Sequence, residues 1–77
     1  MSVDRLRAIL EGEFPEAEEV SVTDRTGGGD HFQVNVRSHR FNGLPLIEQH
    51  RLVNDALAAP FADGTIHELR ISTKGTE

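Results

Sequence analysis

The segment HFQVNVRSH, residues 31–39, carries the alternation of side chains that decides the fold. Phenylalanine or valine occupies every second position from Phe32 to Val36, and polar side chains occupy the positions between them. This period of two is typical of a strand with one buried face and one face toward solvent. The segment therefore predicts a strand, and its neighbours must supply the elements that cover the apolar face.

The segment upstream predicts the first partner of this strand. EEVSVTD, residues 18–24, places Val20 and Val22 on one face. RTGGGD, residues 25–30, joins the two strands, and its consecutive glycines accept the positive φ angles of a turn. Strand, glycine loop and strand together predict a hairpin whose loop is longer than the tight two-residue kind.

Apolar residues at helical spacing predict one element before the hairpin and one after it. The first helix covers residues 2–12, and Pro15 opposes its continuation. The second covers residues 45–58 and begins at a proline suited to a first helical turn. Its apolar stripe consists of Leu46, His50, Val53 and Leu57. Pro60 and the turn after it are expected to end this helix.

A third strand is predicted near the end of the sequence. TIHELRIST, residues 65–73, places His67, Leu69 and Ile71 on one face, so we expect His67 to be partly covered. The tail KGTE, residues 74–77, holds no core side chain and is expected to be loose.

The order helix, strand, strand, helix, strand defines the predicted fold class. The connection between the second and third strands is long enough for a crossover, so these two strands should be parallel. We expect a single small α/β (α+β) domain over residues 1–77, with an ordered core over about 2–73. It should have a mixed three-stranded sheet with both helices on one face, an architecture that resembles the class II KH fold.

Composition narrows the classes of function. Eight Lys and Arg against thirteen Asp and Glu give a formal net charge of -5, whereas most nucleic-acid-binding domains are basic. The absence of cysteine excludes disulfides, thiolate catalysis and any thiolate metal site supplied by this chain alone. No segment approaches the ~20 apolar residues of a membrane span, and the first residues lack a signal-peptide pattern, so we expect no membrane contact and a cytoplasmic location.

The glycine loop leaves several functions open. Gly27, Gly28 and Gly29 are followed by Asp30 and His31 and then by a strand. Phosphate-binding loops instead continue into a lysine, a hydroxyl residue and a helix, which argues against phosphate binding. The loop remains a plain hairpin turn, a contact for a nucleic-acid backbone, or a segment that leaves room beside a metal site. No nucleophile elbow accompanies it, so we do not expect an enzyme.

The histidines are the candidate metal ligands, because imidazole is the leading donor in a chain without cysteine. His31 and His67 begin the second and third strands. His50 falls in the apolar stripe of the second helix, where a packed role is simpler, and His39 is expected to be solvated. No two histidines have the spacing of a helical zinc site, so a metal site would need tertiary contacts or a second molecule.

The arginines are the candidates for a docking surface. Arg37, Arg40 and Arg51 are grouped after an acidic stretch, and a local basic face is compatible with an acidic total. Such a face would suit nucleic acid or an acidic partner.

Two segments resemble the BolA family. RFNGLPLIEQHRLVNDAL, residues 40–57, is similar to the family's F-x-G turn followed by a helix with the pattern HR-x-V-x-x-x-L. IHELRIST, residues 66–73, is similar to the family's last strand, which opens with a histidine. TGGGDHFQV, residues 26–34, resembles its glycine-rich loop and the strand after it. The resemblance covers nearly the whole chain and keeps the predicted order of elements.

The resemblance implies a KH-like, non-enzymatic adaptor that pairs with a monothiol glutaredoxin in iron-sulfur cluster handling or in iron and stress signalling. In such pairs a [2Fe-2S] cluster is held by glutaredoxin and glutathione thiolates on one side and by the BolA-like protein on the other. The family's principal ligand maps onto His67, and His31 is the nearest candidate for a second. Arg51 and Arg40 would help to dock the acidic or glutathione-bearing side of the partner.

Two other hypotheses remain open at this point. The first is a KH-like nucleic-acid-binding transcriptional regulator, which would use Arg37, Arg40 and Arg51 on DNA and lose affinity steeply with salt. The second is a plain structural domain in which every histidine is packed. Without a partner, the chain is expected to be a monomer or a weak homodimer.

Overall fold

The computed structural model describes residues 2–25, 27–28 and 31–76. In chain order the elements are α1 (Ser2–Glu13), β1 (Glu19–Asp24), β2 (His31–Arg37), a 3₁₀ turn (His39–Phe41), α2 (Leu46–Ala56), α3 (Ala58–Ala62) and β3 (Glu68–Lys74). The predicted order of two helices and three strands is confirmed. The short α3 was not predicted.

The sheet is three-stranded and mixed, in the order β1-β2-β3. β1 pairs antiparallel with β2, and Val22 lies opposite Val34. β3 pairs parallel with β2, and Ile71 lies beside the same Val34. The predicted hairpin and the parallel crossover are therefore both present, and β2 is the central strand.

The core lies on one face of β2. Phe32, Val34 and Val36 are at most 2% exposed, whereas the polar residues between them are only half-buried. The helices bring fully buried side chains to this face: Leu6 and Leu10 from α1, and Val53 and Leu57 from α2 and its C-cap. Both helices thus cover the same face of the sheet, as predicted from the alternation.

The segment after β2 turns earlier than predicted. β2 ends at Arg37 rather than at residue 39, because Ser38 is fully buried and caps the 3₁₀ turn. Its hydroxyl accepts a hydrogen bond from the Arg40 N–H at 3.1 Å and donates to Glu16 Oε1 at 3.3 Å. The turn inserts Phe41 into the core, 5.6 Å from the Phe14 ring between centroids. Gly43 then follows at a φ of +78°, a backbone angle that disfavours any side chain.

The second helix differs from the prediction at both ends. Its first turn extends beyond the core, so Leu46 is 60% exposed and does not belong to the buried stripe. The helix breaks at Leu57, and α3 follows with Pro60 buried inside it. Pro60 was expected to end a helix, but it lies in the first turn of α3, where its missing N–H removes no helical hydrogen bond.

The expectation of a loose tail is wrong for residues 74–76. Lys74 is the last residue of β3, and its carbonyl accepts a hydrogen bond from the Ser38 N–H at 3.0 Å. The Asn42 side chain accepts from the Thr76 N–H at 2.8 Å and donates to Thr76 Oγ1 at 3.0 Å. A Cβ at Gly75 would collide with Asn42 Oδ1, so a larger residue here would displace the Asn42 side chain that holds Thr76. Hydrogen bonds with Ser38 and Asn42 therefore fix residues 74–76, which contribute no apolar side chain to the core.

Truncating Leu57 tests the position of the core. Leu57→Ala removes a fully buried side chain and is expected to lower the free energy of unfolding by about 2–5 kcal/mol, because a cavity remains. Leu46→Ala makes the same chemical change at an exposed position, and we expect a change of about 0.5 kcal/mol or less. Urea unfolding followed by circular dichroism measures both. Equal losses in the two variants would contradict the assigned core.

Candidate functional site

The parallel register of β2 and β3 brings the two candidate ligand histidines to one end of the sheet. His31, the first residue of β2, is the register partner of Glu68, the first residue of β3. His67 immediately precedes Glu68 in the chain. β1 ends at the same place, with Asp24 opposite Phe32. We call this region, defined by Asp24, Arg25, His31, His67 and Glu68, the histidine end of the sheet.

His67 is exposed, which corrects the expectation that it is partly covered. β3 begins at Glu68 rather than at residue 65, and the chain bends at His67. The buried position before the strand is taken instead by Ile66, which is 4% exposed. Ile66 thus anchors the chain in the core, and the next residue presents its imidazole at the surface.

His31 lies on the outer face of β2, because Phe32 points into the core. Its side chain is 34% exposed, and its Nε2 lies 3.9 Å from Glu68 Oε2. The same carboxylate accepts a hydrogen bond from Arg25 NH1 at 2.7 Å. An ion pair between the hairpin loop and β3 therefore fixes the surroundings of His31.

The glycine loop closes the hairpin at this end. The Arg25 N–H donates to the His31 carbonyl at 2.8 Å, and the Gly27 N–H donates to Asp24 Oδ1 at 2.9 Å. Gly27 has a φ of +77°, and a Cβ there would meet no atom of the described residues within 4 Å. Gly28 is exposed, and Gly29 lies outside the described residues. Turn geometry explains Gly27.

A polar network that sequence reasoning missed holds the turn leading to His67. Asp63 Oδ1 accepts from the Thr65 N–H at 2.9 Å and from the Thr65 hydroxyl at 2.6 Å. Arg5 of α1 donates to Asp63 Oδ2 at 2.9 Å and to Thr65 Oγ1 at 3.2 Å. Gly64 supplies the positive φ of +82° that the turn requires. The segment before His67 is therefore tied to both α3 and α1.

These hydrogen bonds lower the pKa of Asp63 from 3.8 to about 2, with the Thr65 hydroxyl as the largest cause, followed by the Thr65 N–H and by Arg5. Each partner stabilises the ionised carboxylate. Because the pKa is lower in the folded than in the unfolded chain, this contribution is complete above pH 3.8 and is lost as the pH falls toward 2.

Replacing Asp63 tests this network. Asp63→Asn is expected to lower the thermal midpoint at neutral pH, since the charged acceptor for Arg5 and Thr65 is lost. The difference from wild type should shrink as the pH falls from 3.8 to 2, where the wild-type carboxyl also becomes neutral. Asp55→Asn on the exposed side of α2 is the matched control. A difference that stays constant over this pH range would contradict the assignment.

Arg37 and Arg40 lie at the end of β2 opposite the histidine end, Arg51 lies on α2, and each of the three forms an ion pair with a glutamate. The distances are 3.6 Å for Arg37 to Glu18, 3.6 Å for Arg40 to Glu16 and 3.1 Å for Arg51 to Glu48. Antiparallel pairing of β1 with β2 brings the acidic stretch beside the first two of these arginines. Charges that are separate in the sequence therefore offset each other in space.

Arg40 has a structural role as well. Its guanidinium carbon lies 4.9 Å from the centroid of the Phe14 ring, and its NH1 donates to the Glu13 carbonyl at 2.8 Å. The side chain thus covers the end of α1 and the aromatic pair beneath it. Arg51 is more accessible, with its side chain 61% exposed.

The remaining histidines have the surroundings that the sequence indicated. His50 is half-buried on α2, and His39 is exposed in the 3₁₀ turn after β2. That turn follows the end of β2 opposite the histidine end. His39 is therefore a useful comparison for His67.

The described residues do not form a complete metal site. Within 2–25, 27–28 and 31–76, no group of three His, Asp or Glu side chains is arranged to hold a metal ion. The chain has no cysteine that could add a thiolate. What the histidine end offers is an exposed imidazole with a second imidazole nearby, which suits a site completed by another molecule.

Two surface depressions lie elsewhere. One of about 210 Å³ is lined by residues of the outer sheet face, including Glu19, Arg37 and Lys74. The other, of about 430 Å³, lies between α1 and β1 and includes Arg7 and Glu11. Neither lining contains a histidine. Among the described helices, none has the length and apolar character needed to cross a bilayer.

The model of the BolA family, described as BolA-like protein, matches residues 10–77. The chain belongs to the BolA-like family. An uncharacterized protein of Rickettsia prowazekii, RP812, is 36% identical over 73 residues, which are 95% of this chain and 92% of the relative. BolA-like protein 3 of Homo sapiens is 36% identical over 70 residues, or 90% of this chain and 64% of the human protein.

Solved BolA structures have the same fold. The BolA domain of SufE1 from Arabidopsis thaliana superposes with a TM-score of 0.86 at 31% identity, covering 96% of this chain and 91% of that domain. The F-x-G turn of the family now has a physical basis here. Phe41 fills the core, and Gly43 supplies the positive φ before α2. His67, which the resemblance maps to the opening of the last strand, lies one residue before β3.

Proposed function

We propose that this BolA-like chain is a non-enzymatic adaptor that binds a monothiol glutaredoxin and shares a [2Fe-2S] cluster with it through His67. Its role would lie in iron-sulfur cluster handling or in iron and stress signalling. The observation that carries the proposal is an exposed imidazole, which follows a hydrogen-bonded turn, in a chain that has no thiolate of its own.

The donors of this chain fit a shared cluster better than a self-contained one. Iron-sulfur clusters are held mainly by cysteine thiolates, and histidine replaces cysteine in some of them. Because this chain has no cysteine, the thiolates must come from the partner and from glutathione. The described residues also form no group of three ligands. One or two imidazoles are therefore the contribution that this chain can make.

His67 is the preferred ligand because its position is both accessible and fixed. Ile66 anchors the preceding residue in the core, and the hydrogen bonds of Asp63 and Thr65 fix the turn before it. A ligand held in this way loses little conformational freedom when it binds. Imidazole ligation in place of thiolate raises the reduction potential of a bound cluster.

His31 is the candidate for a second ligand. The register brings it to the same end of the sheet as His67. Its imidazole faces the Glu68 carboxylate at 3.9 Å, so ligation would require it to exchange that neighbour for iron. Among the described residues, none has an atom within 4 Å of where a Cβ of Gly27 would be, which leaves a partner access from that side.

The family relationship supports an adaptor role. In Arabidopsis thaliana, a BolA domain forms part of SufE1, so a domain of this family works there within a larger protein. This chain, by comparison, spans 92% of RP812 but only 64% of the human relative. A small domain with shallow surface depressions is suited to binding another protein rather than to enclosing a substrate.

The nucleic-acid hypothesis receives less support from the geometry. Arg37, Arg40 and Arg51 each have a glutamate neighbour within 3.6 Å. Arg40 is further occupied by the Phe14 ring. A phosphate backbone would have to displace these carboxylates from a chain whose net charge is already -5. The arginines do not form the basic stripe typical of nucleic-acid-binding domains.

His67→Ala tests the proposed ligand. The protein is mixed with a monothiol glutaredoxin that carries a reconstituted cluster, with glutathione present, and the visible absorption and circular dichroism are recorded. We expect wild type to change the cluster spectrum on mixing and His67→Ala to give a different spectrum, because one ligand is lost. Urea unfolding of the variant alone should match wild type, since His67 is exposed.

His39→Ala is the matched control, because it removes an exposed histidine beyond the opposite end of β2. It should reproduce the wild-type spectrum. Absence of association with glutaredoxin would overturn the adaptor role. Association with identical spectra for wild type and His67→Ala would overturn the ligand assignment alone.

A further inference from the structure

Within the part of the chain that the structure describes, β3 has no neighbouring strand along one of its edges. It is the last strand in the order β1-β2-β3, and the Lys74 carbonyl faces β2, where it accepts the Ser38 N–H. Because backbone groups alternate along a strand, Leu69, Ile71 and Thr73 direct their N–H and C=O groups toward the free edge. In the described part of the chain, no loop or turn forms a backbone hydrogen bond to these three residues.

The sequence of this edge strand is complementary to itself when reversed. In ELRISTK, residues 68–74, an antiparallel pairing centred on Ile71 places Glu68 opposite Lys74 of a second copy, and Lys74 opposite Glu68. The Glu68 carboxylate already contacts Arg25 at 2.7 Å, so the ammonium group of the second copy would be its second cationic neighbour. Arg70 then faces Ser72. Ile71 faces its own copy, and both present their backbone groups to each other. All seven residues pair, and no two like charges lie opposite each other.

The neighbouring symmetric registers are less favourable. Centring the pair on Arg70 brings two arginines face to face. Centring it on Ser72 places Arg70 opposite Lys74 of the other copy, which is again a pair of like charges. Like charges directly opposite destabilise a sheet. Registers centred farther from the middle pair fewer residues, so charge and length both select Ile71 as the centre.

The opposite edge of the sheet does not share this complementarity. β1, Glu19–Asp24, begins and ends with a carboxylate and has no basic residue between them. Two copies of β1 would therefore bring four carboxylates together. The apolar side chains do not separate the two edges, because Val20 and Val22 of β1 are half-buried like Leu69 and Ile71 of β3. Charge therefore decides between them.

We propose that the free edge of β3 binds a second copy of this chain as an antiparallel strand, with a two-fold axis at Ile71. The result is a continuous six-stranded sheet formed from two three-stranded ones. This contact goes beyond the proposed cluster role and does not use His67, which lies outside the paired strand. A seven-residue strand gives a small interface, so the dimer dissociates on dilution.

Sedimentation equilibrium combined with amide hydrogen exchange tests the dimer. Over about 10 µM to about 1 mM, the range for small interfaces, the mean mass should rise from one chain toward two. The amides of Leu69, Ile71 and Thr73 should exchange more slowly at the higher concentration. The amides of Arg70 and Ser72 already face β2, and their exchange should respond little.

A pair of charge variants tests the register. Lys74→Glu places two carboxylates opposite each other, and Glu68→Lys does the same with two ammonium groups. Each variant alone should associate about tenfold more weakly than wild type, because both symmetric pairs become repulsive. An equal mixture of the two variants should recover wild-type association, since every pair is then of opposite charge. Circular dichroism of each variant verifies folding.

Three results would overturn the proposal. One is a chain that stays monomeric to about 1 mM. In that case an extended segment of a different protein would be the remaining candidate to pair with the edge of β3. Another is a dimer in which the exchange of Leu69, Ile71 and Thr73 does not depend on concentration. The last is a mixture of the two charge variants that associates no better than either alone.

Discussion

The double pairing of β2 is the constraint on which the rest of the structure depends. This strand pairs antiparallel with β1 and parallel with β3, and its apolar face holds the centre of the core. A shift of one residue in either register would turn Val34 and its neighbours away from the helices. The same registers bring His31 and His67 to one end of the sheet. Fold and candidate site are therefore set by a single strand.

Strand pairing also determines which charged side chains form ion pairs within the domain and which remain accessible to a partner. Pairing of β1 with β2 places Glu18 beside Arg37, and the turn after β2 places Arg40 beside Glu16 and over Phe14. These two arginines therefore make contacts within the domain at the end of β2 that lies away from the histidines. The histidine end keeps one accessible imidazole in a chain with no cysteine, which favours a ligand shared with a thiolate-bearing partner over a surface for nucleic acid.

Alternation in residues 31–36 and helical spacing sufficed to predict the order of elements, the hairpin and the shared face of the two helices. Prediction failed where long-range contacts decide. Ile66, not His67, fills the core position before β3, because the chain bends at His67 and the alternation of Leu69 and Ile71 does not extend to it. Arg5 and Asp63 are 58 positions apart, so their contact follows only from the tertiary fold. The tail is held by the hydrogen bonds of Asn42, a polar interaction that hydrophobic periodicity does not register.

Pulsed electron paramagnetic resonance of the reduced cluster would test the central claim most directly. This chain, labelled with [¹⁵N]histidine, is mixed with unlabelled monothiol glutaredoxin carrying the cluster and glutathione. The account predicts a ¹⁵N hyperfine coupling that is present in wild type and His39→Ala and is reduced or lost in His67→Ala. A cluster complex without ¹⁵N coupling, or with a coupling unchanged in His67→Ala, would contradict it.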